Sequence, residues 1–151
     1  KLISEIDPRE HQQVFFTAIE YGQPYHIFTN KGINPDSKTE ILLVTGIANP
    51  KPLKKLLEEH SNSYHMIQYP DHHIFTIDDH KEIKKRFSAI ATNNKIILTT
   101  EKDAVRLAKF NNDITELPFY VIPIRHRFLF EEGEKFNKLV TGFINNKKKI
   151  S

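Results

Sequence analysis

The run Ile41-Leu42-Leu43-Val44, followed by the turn Thr45-Gly46-Ile47-Ala48-Asn49-Pro50, decides the fold class of this chain. Four consecutive apolar residues predict a strand that is covered on both faces, as in a parallel sheet between helices. The turn leads to Pro50 and Pro52, which the first turn of a helix tolerates. Three leucines then recur at helical spacing: Leu53, Leu56 and Leu57. The segment therefore predicts a strand, a turn and a helix in succession.

The same alternation continues to the end of the chain. Further strands are predicted at Tyr64–Ile67, Lys95–Thr99 and Phe119–Ile122. Alternating strands and helices indicate parallel pairing through right-handed crossovers. We therefore predict an α/β fold with a mostly parallel sheet flanked by helices.

Three helices are predicted after the second strand. Asp78 or Asp79 is expected to cap the first, and Thr100 with Asp103 forms a near capping box for the second. The last is predicted to start at about Glu132. The predicted buried residues are Ile83, Phe87, Ile90 and Ala91 in the first helix, and Phe136, Leu139, Val140 and Phe143 in the last. The second helix carries the apolar residues Ala104, Leu107 and Ala108.

The N-terminal part has a different pattern. Two β-type segments, Val14–Ile19 and Tyr25–Phe28, flank the turn Tyr21–Pro24 and predict a β-hairpin. Residues 30–39 have the composition of a polar linker. We therefore predict two parts, an N-terminal β-hairpin with its linker at 1–39 and an α/β domain at 40–151.

Composition excludes several kinds of function. The balance of 22 basic and 19 acidic residues gives a net charge of +3. The sequence lacks a basic helix face interleaved with aromatic residues, so we expect no nucleic-acid partner. The absence of cysteine excludes disulfides and thiolate metal sites. The terminal Lys147-Lys148-Lys149 run is interpreted as either solvated or in contact with anionic lipid headgroups. The chain starts at Lys1 and contains no phosphate-binding loop, so we expect a fragment of a longer polypeptide.

Polar segments follow three of the predicted strands, at 45–50, 70–76 and 99–103. Ligands in α/β folds gather beyond the carboxyl ends of the strands. Because the three segments converge on that edge, they predict a site more strongly than any one of them does.

Asp71-His72-His73 is the most informative of these segments. An imidazole can relay a proton at neutral pH, and a neighbouring carboxylate can fix its tautomer. Adjacent residues of an extended segment point in opposite directions, so His72 and His73 cannot both face one small site. Two alternatives remain open: a loop that hydrogen-bonds backbone and water, or a metal site completed by His80, Asp78 or Asp79, for which zinc requires three or four ligands.

Lys102 and Asn49 are weaker candidates for residues that line a cleft or order a loop. Lys102 lies in the first turn of a predicted helix, where it either belongs to an ion-paired helix start, or reaches a phosphate or orders the neighbouring histidine loop. Asn49 lies in the turn after the first parallel strand. That turn has one glycine and lacks both Gly-x-Gly-x-x-Gly and a Gly-Lys-Ser/Thr ending, so it resembles a phosphate-binding turn only loosely.

Taken together, three linked motifs resemble the C-terminal part of the tetraacyldisaccharide 4'-kinase family of lipid A biosynthesis. They are Leu43–Pro50, Tyr69-Pro70-Asp71-His72-His73-Ile74-Phe75 with Asp79, and Leu98-Thr99-Thr100-Glu101-Lys102-Asp103-Ala104-Val105-Arg106-Leu107. The segments around Phe15-Phe16-Thr17 and Phe119–Ile124 extend the likeness over nearly the whole chain.

The resemblance implies a phosphate-loop-kinase-like domain of an enzyme that transfers the γ-phosphate of ATP, with Mg²⁺, to the 4'-hydroxyl of a tetraacylated disaccharide 1-phosphate. It also implies a place at the cytoplasmic face of the bacterial inner membrane. By position, His72 takes the role of the histidine that pairs with a catalytic aspartate of the N-terminal domain, with Asp71 beside it. His73 is carried as a residue near the cleft.

The family's phosphate loop, its Mg²⁺-binding carboxylates, its catalytic aspartate and its membrane-associating segment have no counterpart in this sequence. The expected partners are therefore the missing N-terminal phosphate-loop domain, the lipid A precursor, and a membrane surface reached through the missing part. Phosphoryl transfer depends on positioning nucleotide and metal, so the fragment alone is expected to be inactive and to bind no cofactor tightly. The alternative is a non-catalytic α/β module that binds an anionic small molecule at its strand ends.

Overall fold

The computed structural model describes residues 2–61, 63–110 and 116–148. The chain divides into two compact units, Tyr21–Ile124 and a smaller one made of Lys1–Glu20 and Arg125–Ser151. The predicted boundary between residues 39 and 40 falls inside the larger unit.

A five-stranded sheet in the order β2-β6-β5-β3-β4 forms the centre of the larger unit. Its strands are β2 (Tyr25–His26), β3 (Glu40–Thr45), β4 (Tyr64–Gln68), β5 (Lys95–Thr100) and β6 (Phe119–Ile122). The last four pair in parallel, and β2 adds to β6 in the antiparallel sense. The predicted α/β fold with a mostly parallel sheet is confirmed.

Both faces of the sheet are buried, as the apolar run in β3 predicted. Leu42 and Val44 pack on one face with side chains of α3 (Ile77–Ala89) and α4 (Glu101–Leu107). Ile41 and Leu43 pack on the other face with leucines of α2 (Lys51–His60). Successive residues of a strand point to opposite faces, so a continuous apolar run supplies two cores.

The start of α3 corrects one predicted cap. Thr76, and neither Asp78 nor Asp79, is the N-cap residue, and Asp79 completes a capping box from the third helical position. Thr and Asp both accept from free backbone N–H groups, so composition alone does not choose between them. Ala91 lies beyond the helix and is exposed, which corrects its predicted burial.

The predicted N-terminal hairpin was wrong. β1 (Thr17–Tyr21) pairs with β7 (Ile124–Phe128), whereas β2 pairs with β6. The turn between β1 and β2 therefore leads from one sheet to the other. Sequence pattern identifies β-type segments, but partners a hundred residues away decide which strands pair.

The smaller unit contains α1 (Leu2–Ile6), β1 with β7, and α5 (Gly133–Lys148). Phe136 of α5 packs against Phe15 and Phe128, with ring centroids 5.3 and 4.9 Å apart. The predicted burial of Leu139, Val140 and Phe143 was wrong, because these side chains are exposed. A helical stripe identifies an apolar face but does not specify what that face packs against. Among the described helices, none is both long and apolar enough to cross a membrane.

Candidate functional site at the carboxyl ends of the strands

The three polar segments meet where β3, β4 and β5 end. These strands are neighbours in the parallel sheet, so their carboxyl ends share one edge. The backbone N–H of Tyr69 donates to the carbonyl of Thr45 at 2.8 Å, which joins the β4 exit to the β3 exit. The predicted convergence of these segments is therefore present in the structure.

Asp103, in the first turn of α4, joins the β5 exit to the β3 exit. Its side chain is fully buried, and its Oδ2 accepts hydrogen bonds from the Gly46 backbone N–H at 3.0 Å and the Thr45 hydroxyl at 3.2 Å. The Thr100 hydroxyl donates to the same oxygen at 2.8 Å and also caps the helix through the Asp103 N–H. One buried carboxylate thus fixes the turn after β3 to the start of α4.

Gly46 lies where this turn touches the segment after β4. A Cβ at this position would lie 3.1 Å from the Pro70 carbonyl oxygen and 3.6 Å from the His73 Cβ. The backbone oxygen cannot move as a flexible side chain can. Gly46 therefore suits the close approach of two backbone segments, since a side chain here would force the Pro70 carbonyl to shift by a few tenths of an ångström, and it is not needed for an unusual φ.

His73 is packed and hydrogen-bonded within the protein. Its ring stacks on Tyr69 with centroids 4.4 Å apart, and its Nε2 lies 2.9 Å from Asp79 Oδ2. That oxygen also accepts from the Thr76 N–H and hydroxyl at 2.7 and 2.9 Å. Burial of Asp79 opposes its ionisation, but the bonds from His73 and Thr76 outweigh that effect and lower its pKa. Burial and the neighbouring Asp79 charge raise the pKa of the Tyr69 phenol to about 12.

His72, one residue earlier, has the opposite environment. Its side chain is 77% exposed, and its Nε2 lies 3.4 Å from Asp71 Oδ2. Its φ of 62° places a non-glycine residue in the left-handed region, where the local backbone is strained. His72 is therefore the accessible imidazole of the two, but it lies in a turn, so the rule for extended segments does not account for the difference.

Asp71 connects His72 to Lys102. Lys102 Nζ donates to Asp71 Oδ1 at 2.7 Å, and the His72 backbone N–H donates to the same oxygen at 3.0 Å. The Lys102 hydrogen bond is the main reason that the pKa of Asp71 is lowered, with the His72 N–H contributing further. Lys102 is therefore ion-paired to the histidine segment through Asp71 and not to the acidic residues at the start of its own helix. Asn49 is exposed, and its Oδ1 accepts from the Lys51 N–H at 3.3 Å at the start of α2.

The metal alternative gains no support from the geometry. Across the part of the chain that the structure describes, no group of three or more His, Asp or Glu side chains is placed to hold a metal ion. His80, one of the suggested ligands, is buried with its ring 4.6 Å from that of Phe110.

A cavity of about 330 Å³ lies elsewhere in the larger unit. Ile41, Leu57, Leu98 and Ile122 line it, and Asp36 is the acidic residue among its polar lining. An apolar wall with a carboxylate does not suit an anion. This cavity therefore does not support a module that binds an anionic small molecule.

Residues 3–145, nearly the whole chain, match the family model for tetraacyldisaccharide-1-P 4'-kinase. The chain belongs to this family. Similar relatives are the tetraacyldisaccharide 4'-kinases of Phocaeicola vulgatus, 34% identical over 99% of this chain, and of Bacteroides thetaiotaomicron, 35% identical over 89%. The chain spans only 43% and 39% of the length of these two proteins.

A solved structure supports the kinase-family fold. LpxK from Aquifex aeolicus, crystallised in complex with ATP, superposes on 91% of this chain with a TM-score of 0.52 and 17% sequence identity. The chain covers 39% of that structure.

In this tetraacyldisaccharide 4'-kinase family member, the sequence motifs located the strand exits but not the bonds between them. Asp71, His72, His73 and Lys102 are brought together, with Asn49 at the start of the neighbouring helix. Sequence reasoning treated Asp103 only as a helix cap and missed its bonds to Thr45 and Gly46. An acidic residue in the first turn of a helix, beside a Thr-Gly turn on the adjacent strand, was the available clue.

Proposed function

We propose that this chain is the C-terminal part of a kinase that transfers the γ-phosphate of ATP to the 4'-hydroxyl of tetraacyldisaccharide 1-phosphate in lipid A biosynthesis. The support is its membership of the family together with one observation: the exposed His72, held beside Asp71 at the shared strand-exit edge. The site would be completed by the rest of a longer polypeptide at the inner membrane.

His72 would act on a carboxylate supplied by that polypeptide. An imidazole hydrogen-bonded to a general base orients it and stabilises it as it takes the proton of the acceptor hydroxyl. Asp71 holds the His72 backbone N–H, and Lys102 keeps Asp71 in place. This arrangement fixes the strained backbone at His72 while leaving its ring open to a partner.

The residues of this chain do not form a binding site for the triphosphate of ATP or for Mg²⁺. No Gly-rich loop ending in Gly-Lys-Ser/Thr occurs in the sequence, and the described side chains form no metal-binding group. ATP and Mg²⁺ would therefore be held by the rest of the enzyme, and this chain alone is expected to be inactive. The part of this chain in the transfer is to position, through His72, the carboxylate that takes the proton.

The test is His72→Ala in the complete enzyme. Turnover should fall by about 10²–10⁴, the usual contribution of a positioned acid–base group. His65→Ala is the matched control, because His65 lies on β4 of the same unit and its side chain is also more than half exposed. Thermal unfolding of both variants should match that of the unsubstituted enzyme.

Three results would contradict the proposal in different ways. A near-normal rate for His72→Ala would remove this histidine from the mechanism. Lack of any 4'-kinase activity in the complete, folded enzyme would remove the function itself. Tight ATP binding by the 151-residue chain alone would favour a self-contained nucleotide module.

A further inference from the structure

The cavity of the larger unit lies on the face of the sheet that α2 covers. Side chains of two helices, α3 and α4, pack on the opposite face, whereas α2 supplies the helical side chains of the core on this one. Ile41, Leu98 and Ile122 line the cavity and are buried, so the sheet itself forms the floor. The segments at 21–24 and 34–36 border the space beside the ten-residue helix α2.

The volume and the lining of this cavity suit a ligand with an apolar body. A cavity of about 150 Å³ lined by aliphatic and aromatic side chains binds benzene. The cavity here has about 330 Å³, which is room for a body of roughly two fused rings. Leu56 and Leu57 of α2 add to its aliphatic wall, and Tyr21 adds an aromatic ring. Pockets of this kind use a few polar groups to orient the ligand.

Asp36 is a fixed anion at the rim of the cavity. Its Oδ1 accepts from the Thr39 hydroxyl at 2.7 Å, the Lys38 backbone N–H at 3.1 Å and the Asn94 side-chain amide at 3.3 Å. The Thr39 hydrogen bond is the main reason that the pKa of Asp36 is lowered, so the carboxylate is ionised at neutral pH. All three donors are neutral groups, which orient the carboxylate without cancelling its charge.

His60 adds a hydrogen-bond acceptor to the same rim. Its Nδ1 lies 2.9 Å from the Leu56 carbonyl oxygen, and because a carbonyl can only accept, Nδ1 carries the proton. The Nε2 of the neutral ring is then an acceptor. The Gln23 side-chain amide donates to Asn34 Oδ1 at 2.9 Å, so these two rim residues bond each other. A negative charge and a lone pair at the rim suit a ligand that donates hydrogen bonds.

This polar rim lies at the other end of β3 from the strand-exit edge. Asp36 precedes β3, and the hydroxyl of Ser61, just after α2, lies 3.3 Å from the Thr39 carbonyl oxygen. The end of α2 with His60 is therefore beside the start of β3. The six residues of β3 span about 17 Å, so a ligand at the rim would be remote from the histidine segment.

We propose that this cavity binds a small organic cation, with an apolar body of about two fused rings over Ile41 and Leu98 and an ammonium group beside Asp36. A neutral ring compound would fill the same space but gain nothing from the carboxylate. A carboxylic acid would be repelled by it. This site goes beyond the proposed kinase function and does not depend on the role of His72.

The experiment is a methyl NMR titration of the 151-residue chain with three probes that share an indole ring: tryptamine, indole and indole-3-propionate. Tryptamine should bind saturably with an affinity of about 1 mM. It should bind about fivefold more tightly than indole, and indole-3-propionate more weakly than either. The methyl signals of Ile41 and Leu98 should shift, whereas those of Val44 and Leu107, on the other face of the sheet, should not.

The carboxylate has its own test, Asp36→Asn, which keeps an acceptor for the Thr39 hydroxyl. The affinity for tryptamine should fall about fivefold, to that of indole, and the affinity for indole should stay unchanged. Asp78→Asn is the matched control, because it removes an exposed carboxylate on α3 and should alter neither affinity. Loss of tryptamine affinity in both variants alike would reduce the role of Asp36 to net charge and contradict the proposal.

The volume is tested by Leu56→Trp, which places a larger side chain in the cavity wall. This variant should lose the binding of tryptamine and indole, whereas Lys55→Trp, at the exposed neighbouring position of α2, should keep it. Thermal unfolding of both variants shows whether they fold. If Leu56→Trp does not fold, the titration of the unsubstituted chain and the Asp36 variant still decide the matter, since neither changes the core.

Four outcomes would overturn the inference. Absence of saturable shifts at Ile41 and Leu98 would show that the cavity holds water alone. Equal affinities for tryptamine and indole-3-propionate would exclude a site for cations. Shifts at the strand-exit edge in place of the cavity would assign the probe to the other site. Loss of tryptamine binding in the complete enzyme would assign the cavity to a segment of that polypeptide. The kinase activity tested with His72 is independent of all four.

Discussion

The strand-exit edge has two sides that differ sharply. On the packed side, His73, Asp79 and Asp103 direct their hydrogen bonds to protein groups and are largely or fully buried. On the open side, Asp71, His72 and Lys102 form one ion-paired group exposed to water. The difference teaches that the seven-residue segment Tyr69–Phe75 does two things: His73 packs against the fold, and the His72 imidazole stays exposed to water.

The largest expected effect comes from removing the centre of the packed side. Asp103→Ala leaves the Gly46 N–H and the Thr45 and Thr100 hydroxyls without their acceptor, which should lower the free energy of unfolding by about 2–4 kcal/mol. Urea unfolding measures this. Asp78→Ala, which removes an exposed carboxylate, should change it by less than about 0.5 kcal/mol. Equal effects from the two substitutions would show that the buried carboxylate does not join the loops.

The most direct test of the comparison is the same substitution at two adjacent positions. His73→Ala removes the contact with Asp79 and the stack on Tyr69, and should lower the free energy of unfolding by about 1–3 kcal/mol. His72→Ala should change it by less than about 0.5 kcal/mol, because the ring is exposed and Ala gains nothing in the left-handed region. A larger loss of stability from His72→Ala than from His73→Ala would show that His72, and not His73, is the packed histidine.

The Asp79 carboxylate adds a pH dependence to the packed side. Because its pKa is lowered in the folded protein, its stabilisation is present above the ordinary carboxyl pKa of about 3.9 and is lost as pH falls through the folded value. Asp79→Asn should therefore cost about 1 kcal/mol at neutral pH. The difference in free energy of unfolding between this variant and the unsubstituted chain should disappear below about pH 4. Chemical unfolding at a series of pH values measures this, and a constant gap at all pH values would contradict it.

The smallest effect is expected on the open side. Lys102→Gln removes the main hydrogen bond that favours ionised Asp71, so the pKa of Asp71 should rise towards its ordinary value. A carboxyl-carbon NMR titration measures that pKa. Lys85→Gln serves as the control with the same change of charge far along α3. An unchanged Asp71 pKa would show that the His72 N–H alone sets it.

Sequence predicted the central sheet well because its information is local. The continuous apolar run at Ile41–Val44 and the later strands are confirmed, as are the helices that alternate with them. Pairing of β1 with β7 and β2 with β6 could not be predicted, since neither pattern nor turn residues identify a distant partner. The exposure of Leu139 and Val140 was missed for a related reason: periodicity identifies an apolar face but does not show which element, if any, packs against it.

For the candidate site, the sequence likewise predicted which segments meet but not the contacts between them. The motif order placed Asp71, His72 and Lys102 at one edge, because parallel strands bring their carboxyl ends together. Which histidine is accessible depends on the stack between His73 and Tyr69 and on the bond to Asp79. The junction at Asp103 depends on β3 and β5 being adjacent, which a crossover decides.

The larger unit begins and ends at hydrogen-bonded positions: the Gly22 N–H donates to the Pro123 carbonyl at 2.9 Å. Along the sequence, Tyr21–Ile124 is therefore inserted between the two segments of the smaller unit, and its own two ends adjoin each other. A cut at residue 39 would strip away the edge strand β2, whereas cuts at 20 and 125 would release the five-stranded sheet whole. Anyone transplanting this module into another scaffold should splice at those two points.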